Sequence, residues 1–212
     1  SIHDNDMAPS SPPAQSASHT EPSADGMTST LLTQARQHSP DAWVRLVKLY
    51  YPLVQTWARR AGLQPSDAAD LAQEVFSAVA NGLDRFERKG GSFRGWLWGI
   101  TSRQLLAHWR RRQQQGVGVG GTTAQERLAS IANDDSESIS RIEDRTDLLR
   151  RALDLLRDGV EEKTWQAFWR TAIDGQTAAE AAQALGLTVN AVYLAKARLL
   201  RRLREDFGGL LT

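Results

Sequence analysis

Between Leu31 and Phe207 the apolar residues of this chain recur three and four positions apart, and over no segment do they alternate with polar residues as a strand would require. That spacing commits the chain to helices. Leu31, Leu32 and Ala35 begin the pattern, and Ser39-Pro40-Asp41 is a helix-start signal ahead of Trp43, Val44, Leu46, Val47, Tyr50 and Tyr51. Pro52 is expected to interrupt that helix, with Val54, Trp57 and Ala58 resuming it before Gly62. Pro65-Ser66-Asp67 opens the next one, with Ser66 or Asp67 as its N-cap, and Ala68, Leu71, Ala72, Val75, Phe76, Val79 and Leu83 then share one broad arc. Further on, Leu148, Leu149, Ala152, Leu155 and Leu156 form a stripe, and Trp165, Phe168, Trp169 and Ile173 form another. The run TAAEAAQALGLTVNAVYLAKARLLRRLREDF places an alanine-rich helix, Thr177 to Leu185, before a glycine stop at Gly186 and a new helix from about Thr188. This is the grammar of a helix-turn-helix, in which glycine permits the tight turn and small residues let the helices approach closely.

The 212 residues divide by composition into two small helical domains joined by a flexible linker. Residues 1–28 are rich in Ser, Pro, Ala and Thr without periodic apolar positions, and are expected to be a disordered tail. The first domain spans 29–112. A Gly-rich and then Ser/acidic linker covers 113–141, with one short helix expected around Glu126 to Ile131. The second domain spans 142–207, and 208–212 form a C-terminal tail. The fold class is all-α. Zero cysteines exclude disulfides, thiolate metal sites and a cysteine nucleophile. No apolar run approaches the roughly 20 residues of a membrane span, and the reading is of a cytoplasmic protein without a membrane partner.

The formal net charge of +1 conceals a segregation of sign. In DAADLAQEVF, Asp67, Asp70 and Glu74 fall at spacings of three and four, on a narrow arc beside the apolar face. Such an edge is usually a solvated face, and Asp67 and Asp70 are expected in the first turn, where the helix dipole favours them. From Phe93 to Gln115 the segment FRGWLWGITSRQLLAHWRRRQQQ interleaves three tryptophans with basic residues and ends in Arg110, Arg111 and Arg112. That mixture suits single-stranded or melting DNA, where bases stack and phosphates need neutralising; the tryptophans can equally belong to the core. In the last helix Val189, Val192, Leu199 and Leu203 share an apolar face, opposite Asn190, Leu194, Ala197, Arg198 and Arg201. A recognition helix needs this division, and a solvated basic face would show it too. The four histidines, His3, His19, His38 and His108, are scattered without ligand spacing, and no phosphate loop or catalytic triad order is present. Neither a metal, a cofactor nor an enzyme activity is expected.

In order along the chain, DAADLAQEVF, SFRGWLWGITSRQLLAHWRRR and AAEAAQALGLTVNAVYLAKARLLRRLRE resemble the extracytoplasmic-function sigma factors of the sigma-seventy family of bacterial RNA polymerase, over about Leu31 to Phe207. The resemblance implies a promoter-specificity subunit. Its region two would bind the clamp helices of the polymerase's largest subunit through Asp67, Asp70 and Glu74. The same region would open the minus-ten element with Arg88, Lys89, Ser92, Trp96, Arg103, Arg110 and Arg111. Arg103 stands where many members of the family have asparagine, and a guanidinium cannot accept a hydrogen bond. Region four would read the minus-thirty-five element with Asn190, Ala191, Tyr193, Leu194, Lys196, Arg198 and Arg201. Implied partners are core polymerase, including its flap region, promoter DNA, and an anti-sigma factor or a kinase. The linker acids Asp134, Asp135 and Glu137 would lie toward the RNA exit path. The rival reading is a stand-alone helix-turn-helix regulator that binds duplex operator DNA by itself.

Overall fold

The computed structural model describes residues 29–87, 91–114, 126 and 137–211, with the side chains of 137–141 left aside. The expected tail, Arg88, Lys89 and nearly all of the linker lie outside these residues; Glu126, within the expected linker helix, is helical. The described residues are helical with no strand. None of their helices is long and apolar enough to cross a membrane.

The first unit is built from α1 (Thr30–Arg36), α2 (Pro40–Arg60), α3 (Pro65–Gly82) and α4 (Phe93–Gln114), with a 3₁₀ turn over Leu83–Arg85. Ser29 and Ser39 cap α1 and α2 by accepting from the backbone N–H groups of Leu32 and Ala42, and Pro40 occupies the first turn of α2, where its missing donor is harmless. Pro52 does not interrupt α2, which continues through it to Arg60. Burial of Leu49, Tyr50, Leu53, Val54 and Trp57 on both sides of the proline holds that helix together, tertiary packing overriding the local rule. α3 begins earlier than expected: Pro65 takes the first position and Gln64 the cap, so Asp67 lies in the first turn and Asp70 beyond it. Its arc from Ala68 to Val79 is buried as the wheel required.

The second unit comprises α5 (Glu137–Arg157), α6 (Glu162–Ala172), α7 (Ala178–Leu185) and α8 (Val189–Phe207). Helix α5 starts ahead of the expected boundary at 142. Thr177 and Glu180 form a capping box on α7, and Gly186 ends it at φ 64°, ψ 37°, a left-handed geometry that glycine adopts without penalty. Ala167, Ala181, Ala182, Val192 and Ala195 make a small-residue core among α6, α7 and α8, as the tight helix-turn-helix demands. Four positions depart from the expected stripes. Leu149, Ile173 and Val189 are exposed, and Trp169 is 36% exposed, while Trp165 and Phe168 carry the buried side of α6.

The units do not stand apart. Leu148, Ala152, Leu156, Phe168, Phe207 and Leu210 belong to the same core as Leu46, Leu49, Tyr50 and Leu97. α5 packs on α2, and α8 on α1. The Tyr50 hydroxyl donates to the carbonyl of Leu210, and Arg45 pairs with Asp206 at 2.9 Å while lying over the Phe207 ring.

Candidate protein and nucleic-acid interfaces

The acidic edge lies on α3 next to the C-terminal end of α4. Arg111 reaches both carboxylate oxygens of Glu74, the nearest contact being Nη2 to Oε2 at 3.1 Å, and Arg112 Nη1 lies 3.5 Å from Asp67 Oδ2. Asp70 is exposed and has no ion-pair partner among the described residues. Two of the three carboxylates thus face arginines from the segment that the sequence assigned to nucleic acid. Packing of α3 on α4 makes that juxtaposition, which neither helix reveals alone.

The aromatic and basic face of α4 separates into structural and free groups. Ser92 accepts from the Gly95 N–H at 3.1 Å and so caps the start of α4. Trp96 is half-buried against Phe86 and Phe93, with ring centroids 5.0 and 5.5 Å away. It passes so close to Gly82 that a methyl there would sit 3.3 Å from its Cζ2. Trp109 is buried and Trp98 packs edge-on against Trp57, so both serve the core. Arg103 is exposed and donates through Nε to the Gly99 carbonyl of its own helix at 2.9 Å. Arg110 points to solvent.

In the helix-turn-helix, Thr188 caps α8 by accepting from the Ala191 N–H, and Val192, Ala195 and Leu199 anchor the inner face. Asn190, Tyr193, Leu194, Ala197 and Arg198 form the exposed outer face, with Tyr193 61% and Leu194 56% exposed. Lys196 turns inward, its Nζ donating to the Thr171 carbonyl at 3.0 Å in the last turn of α6, where a cation complements the helix dipole. Ala191 is half-buried, and Arg201 Nε lies 3.8 Å from Glu205 on the next turn. The Thr177 backbone N–H and hydroxyl hold the Glu180 carboxyl below the usual glutamate range. Among the described residues no cluster of His, Cys, Asp or Glu could hold a metal.

Sequence reasoning missed Asp144. It is 5% exposed on α5 and accepts from Arg94 Nη2 at 2.9 Å, Arg60 Nη1 at 3.2 Å and Trp57 Nε1 at 3.4 Å. The available signal was its place four residues before Leu148 and eight before Ala152, which set a carboxylate in the apolar stripe.

Residues 46–115 match the family model of sigma-70 region 2. RNA polymerase sigma factor CnrH of Cupriavidus metallidurans is 30% identical over 164 residues, covering 76% of this chain and 84% of CnrH. The ECF RNA polymerase sigma factor SigD of Mycobacterium tuberculosis is 30% identical over 148 residues, 69% of this chain and 65% of SigD. A solved structure of CnrH in complex with the cytosolic domain of CnrY aligns at 25% identity over 82% of this chain and 92% of that one, with a TM-score of 0.34. With a region-2 match centred on the α2–α4 bundle and relatives of this kind over most of its length, the chain belongs to the extracytoplasmic-function sigma factors of the sigma-70 family, RNA polymerase subunits of transcription initiation.

Proposed function

We propose that the two helical units divide promoter recognition between them. The α2–α4 unit docks on core polymerase through Asp67, Asp70 and Glu74, then engages and melts the minus-ten element with Trp96, Arg103, Arg110, Arg111, Ser92 and the neighbouring Arg88 and Lys89. The α7–α8 unit reads the minus-thirty-five element. The observation that carries this reading is the outer face of α8: Asn190, Tyr193, Leu194 and Arg198 are exposed on a helix whose inner face is anchored by Val192, Ala195 and Leu199. Asn190, at the N-terminal end, suits an adenine edge; Tyr193 and Leu194 offer apolar contact to thymine methyls; Arg198 suits guanine or phosphate. Lys196 acts by holding α8 to α6 rather than by reaching DNA, and Arg201 exchanges Glu205 for a phosphate. Catalysis belongs to the polymerase. CnrH, one relative, has been captured with the cytosolic domain of CnrY, and a protein partner that restrains this chain is proposed on that likeness.

The test is complex formation with bacterial core polymerase on gel filtration, comparing the chain with the triple variant Asp67→Ala, Asp70→Ala, Glu74→Ala. A complex lost in the triple variant, with helix content unchanged, supports the reading. Absence of any complex, together with tight sequence-specific binding of duplex DNA by the free chain, would establish the stand-alone regulator instead.

A further inference from the structure

Helix α4 carries a glycine at 99 that nothing inside the chain requires: a Cβ there would meet no atom within 4 Å. Gly82 differs, since there the Trp96 ring leaves a side chain little room. Glycine inside a helix costs backbone entropy that alanine would not, so internal packing does not account for Gly99, whereas close approach of a group from outside does. On the helix surface Gly99 is bordered by the residues three and four positions away, Gly95 and half-buried Trp96 on one side and Ser102 and Arg103 on the other. Gly95 adds no side chain, so the face has a notch floored by bare backbone. Arg103 does not stretch away from it. Its Nε donates to the Gly99 carbonyl at 2.9 Å, and the Ser102 hydroxyl donates to the same carbonyl at 3.2 Å. The guanidinium is drawn back along its own helix, and its two Nη groups have no hydrogen bond or ion pair among the described residues.

We propose that Gly99 and Arg103 form a guanine-reading notch: the Gly99 backbone lets a base-pair edge approach α4 closely, and the two Nη groups of Arg103 donate to O6 and N7 of a guanine at one position of the minus-ten element. The proposal rests on the two-element reading and names the base that this site takes. A guanidinium has donors only, and in the major groove guanine alone presents two acceptors side by side. Adenine sets a donor beside its acceptor, cytosine shows a donor, and thymine sets a methyl group beside its acceptor. A phosphate would satisfy the same fork, yet a phosphate can be met at full stretch, as exposed Arg110 can meet it further along α4, without any gap in the helix surface. An arginine shortened by a bond to its own backbone reaches a base edge only if the helix itself lies close. The missing side chain at 99 is what permits that. Arg103 thus specifies sequence, where Arg110 and Arg111 position the DNA backbone.

The test uses holoenzyme assembled from the full chain and bacterial core polymerase, with promoters selected from a library randomised across the minus-ten element. The parent chain is expected to enrich guanine at one position by about fivefold or more over the next base, the lower end of what a bidentate contact discriminates. Arg103→Ala should lose that preference and keep the others. Arg103→Gln, whose amide matches adenine N6 and N7, should move it to adenine at the same position. Replacing the selected guanine with 7-deazaguanine, which lacks the N7 acceptor, should weaken promoter binding by the parent holoenzyme and leave the Arg103→Ala holoenzyme unaffected. Gly99→Ala should melt no lower than the parent, because its Cβ meets nothing, yet bind the selected promoter more weakly by about fivefold or more. Uniform weakening of all sequences by Arg103→Ala, with a salt slope lower by about one and the preferences unchanged, would make Arg103 a phosphate contact and overturn the notch. So would a parent holoenzyme indifferent to 7-deazaguanine, or a Gly99→Ala holoenzyme that binds as tightly as the parent. A holoenzyme that selects no minus-ten sequence at all would overturn the two-element reading, and the notch with it; a selected element without an Arg103-dependent guanine overturns the notch alone.

Discussion

The pairing of Glu74 with Arg111 leads to a prediction with opposite signs in two assays. Both side chains are about half exposed, 41% for Glu74 and 55% for Arg111, so the pair contributes about 0.2–1 kcal/mol. Arg111→Ala should therefore shift the unfolding free energy by no more than about 1 kcal/mol. If Glu74 meets a basic surface on polymerase, Arg111 competes for the same carboxylate in the free chain. Removing it should then tighten polymerase binding by up to about fivefold, the equivalent of about 1 kcal/mol. Glu74→Ala, in contrast, removes the contact and should weaken binding by tenfold or more. Both effects should shrink with added salt, since exposed charges are screened over about 10 Å at 0.1 M. On promoter DNA the sign for Arg111→Ala reverses: the holoenzyme loses a phosphate contact, and the slope of log affinity against log salt falls by about one. The measurements are polymerase titration by fluorescence anisotropy and salt-dependent promoter binding. The reasoning is refuted if Arg111→Ala weakens polymerase binding as much as Glu74→Ala does, because the two would then act as one structural unit.

Three further outcomes concern the scaffold. Gly186→Ala places a Cβ in open space but at φ 64°, so the cost is backbone strain of about 1–2 kcal/mol, with Gly186→Asn closer to neutral; thermal melts would show the order. Burial holds the Tyr50 phenol protonated far above its ordinary value of 10.0. The stability linked to the neutral phenol is fully present below that value and is lost as pH rises through the raised one, so alkaline titration of phenolate absorbance should show one of the three tyrosines ionising only on unfolding. Tyr50→Phe removes that signal and leaves the Leu210 carbonyl unpaired at a cost of about 1–3 kcal/mol. Glu180 has a depressed folded-state pKa, so its contribution is present above the ordinary 4.5 and lost as pH falls through the lower value; Glu180→Gln should lower the melting temperature at neutral pH and matter less in acid.

Helix content and the helix-turn-helix were legible because their signals are local: apolar spacing of three and four, Ser39-Pro40 and Gly186 all act within a turn or two. Pro52 misled for the same reason. A proline rule describes an isolated helix, and the burial of Leu53, Val54 and Trp57 is decided by neighbours far along the chain. The Ser66 or Asp67 cap failed by a small margin, since Pro65 fits the first helical position and moves the cap to Gln64. The exposed face of α8 was readable from the wheel, yet Lys196 was not separable from Arg198 until the end of α6 was in place to receive its ammonium. Contacts between the units were hidden altogether, because Arg45 and Asp206, or Arg60 and Asp144, are distant in sequence and nothing in either helix names the other.

The ion pairs that join distant elements fall into two kinds, and the difference in burial suits them to different work. Asp144 is enclosed, so its ties to Arg60 and Arg94 are strong while all partners are present. Asp67 and Glu74 are only partly buried, with side chains 34% and 41% exposed, so Arg112 and Arg111 leave them at little cost when a better charge arrives. The proposed division, in which the acids meet one partner and the arginines another, uses both kinds. The buried tie fixes α5 against α2 and α4, and the partly exposed pairs neutralise their side chains without sequestering them. Reversing that assignment would be costly, since acids and arginines buried at α3 and α4 would carry a desolvation penalty before any partner reached them.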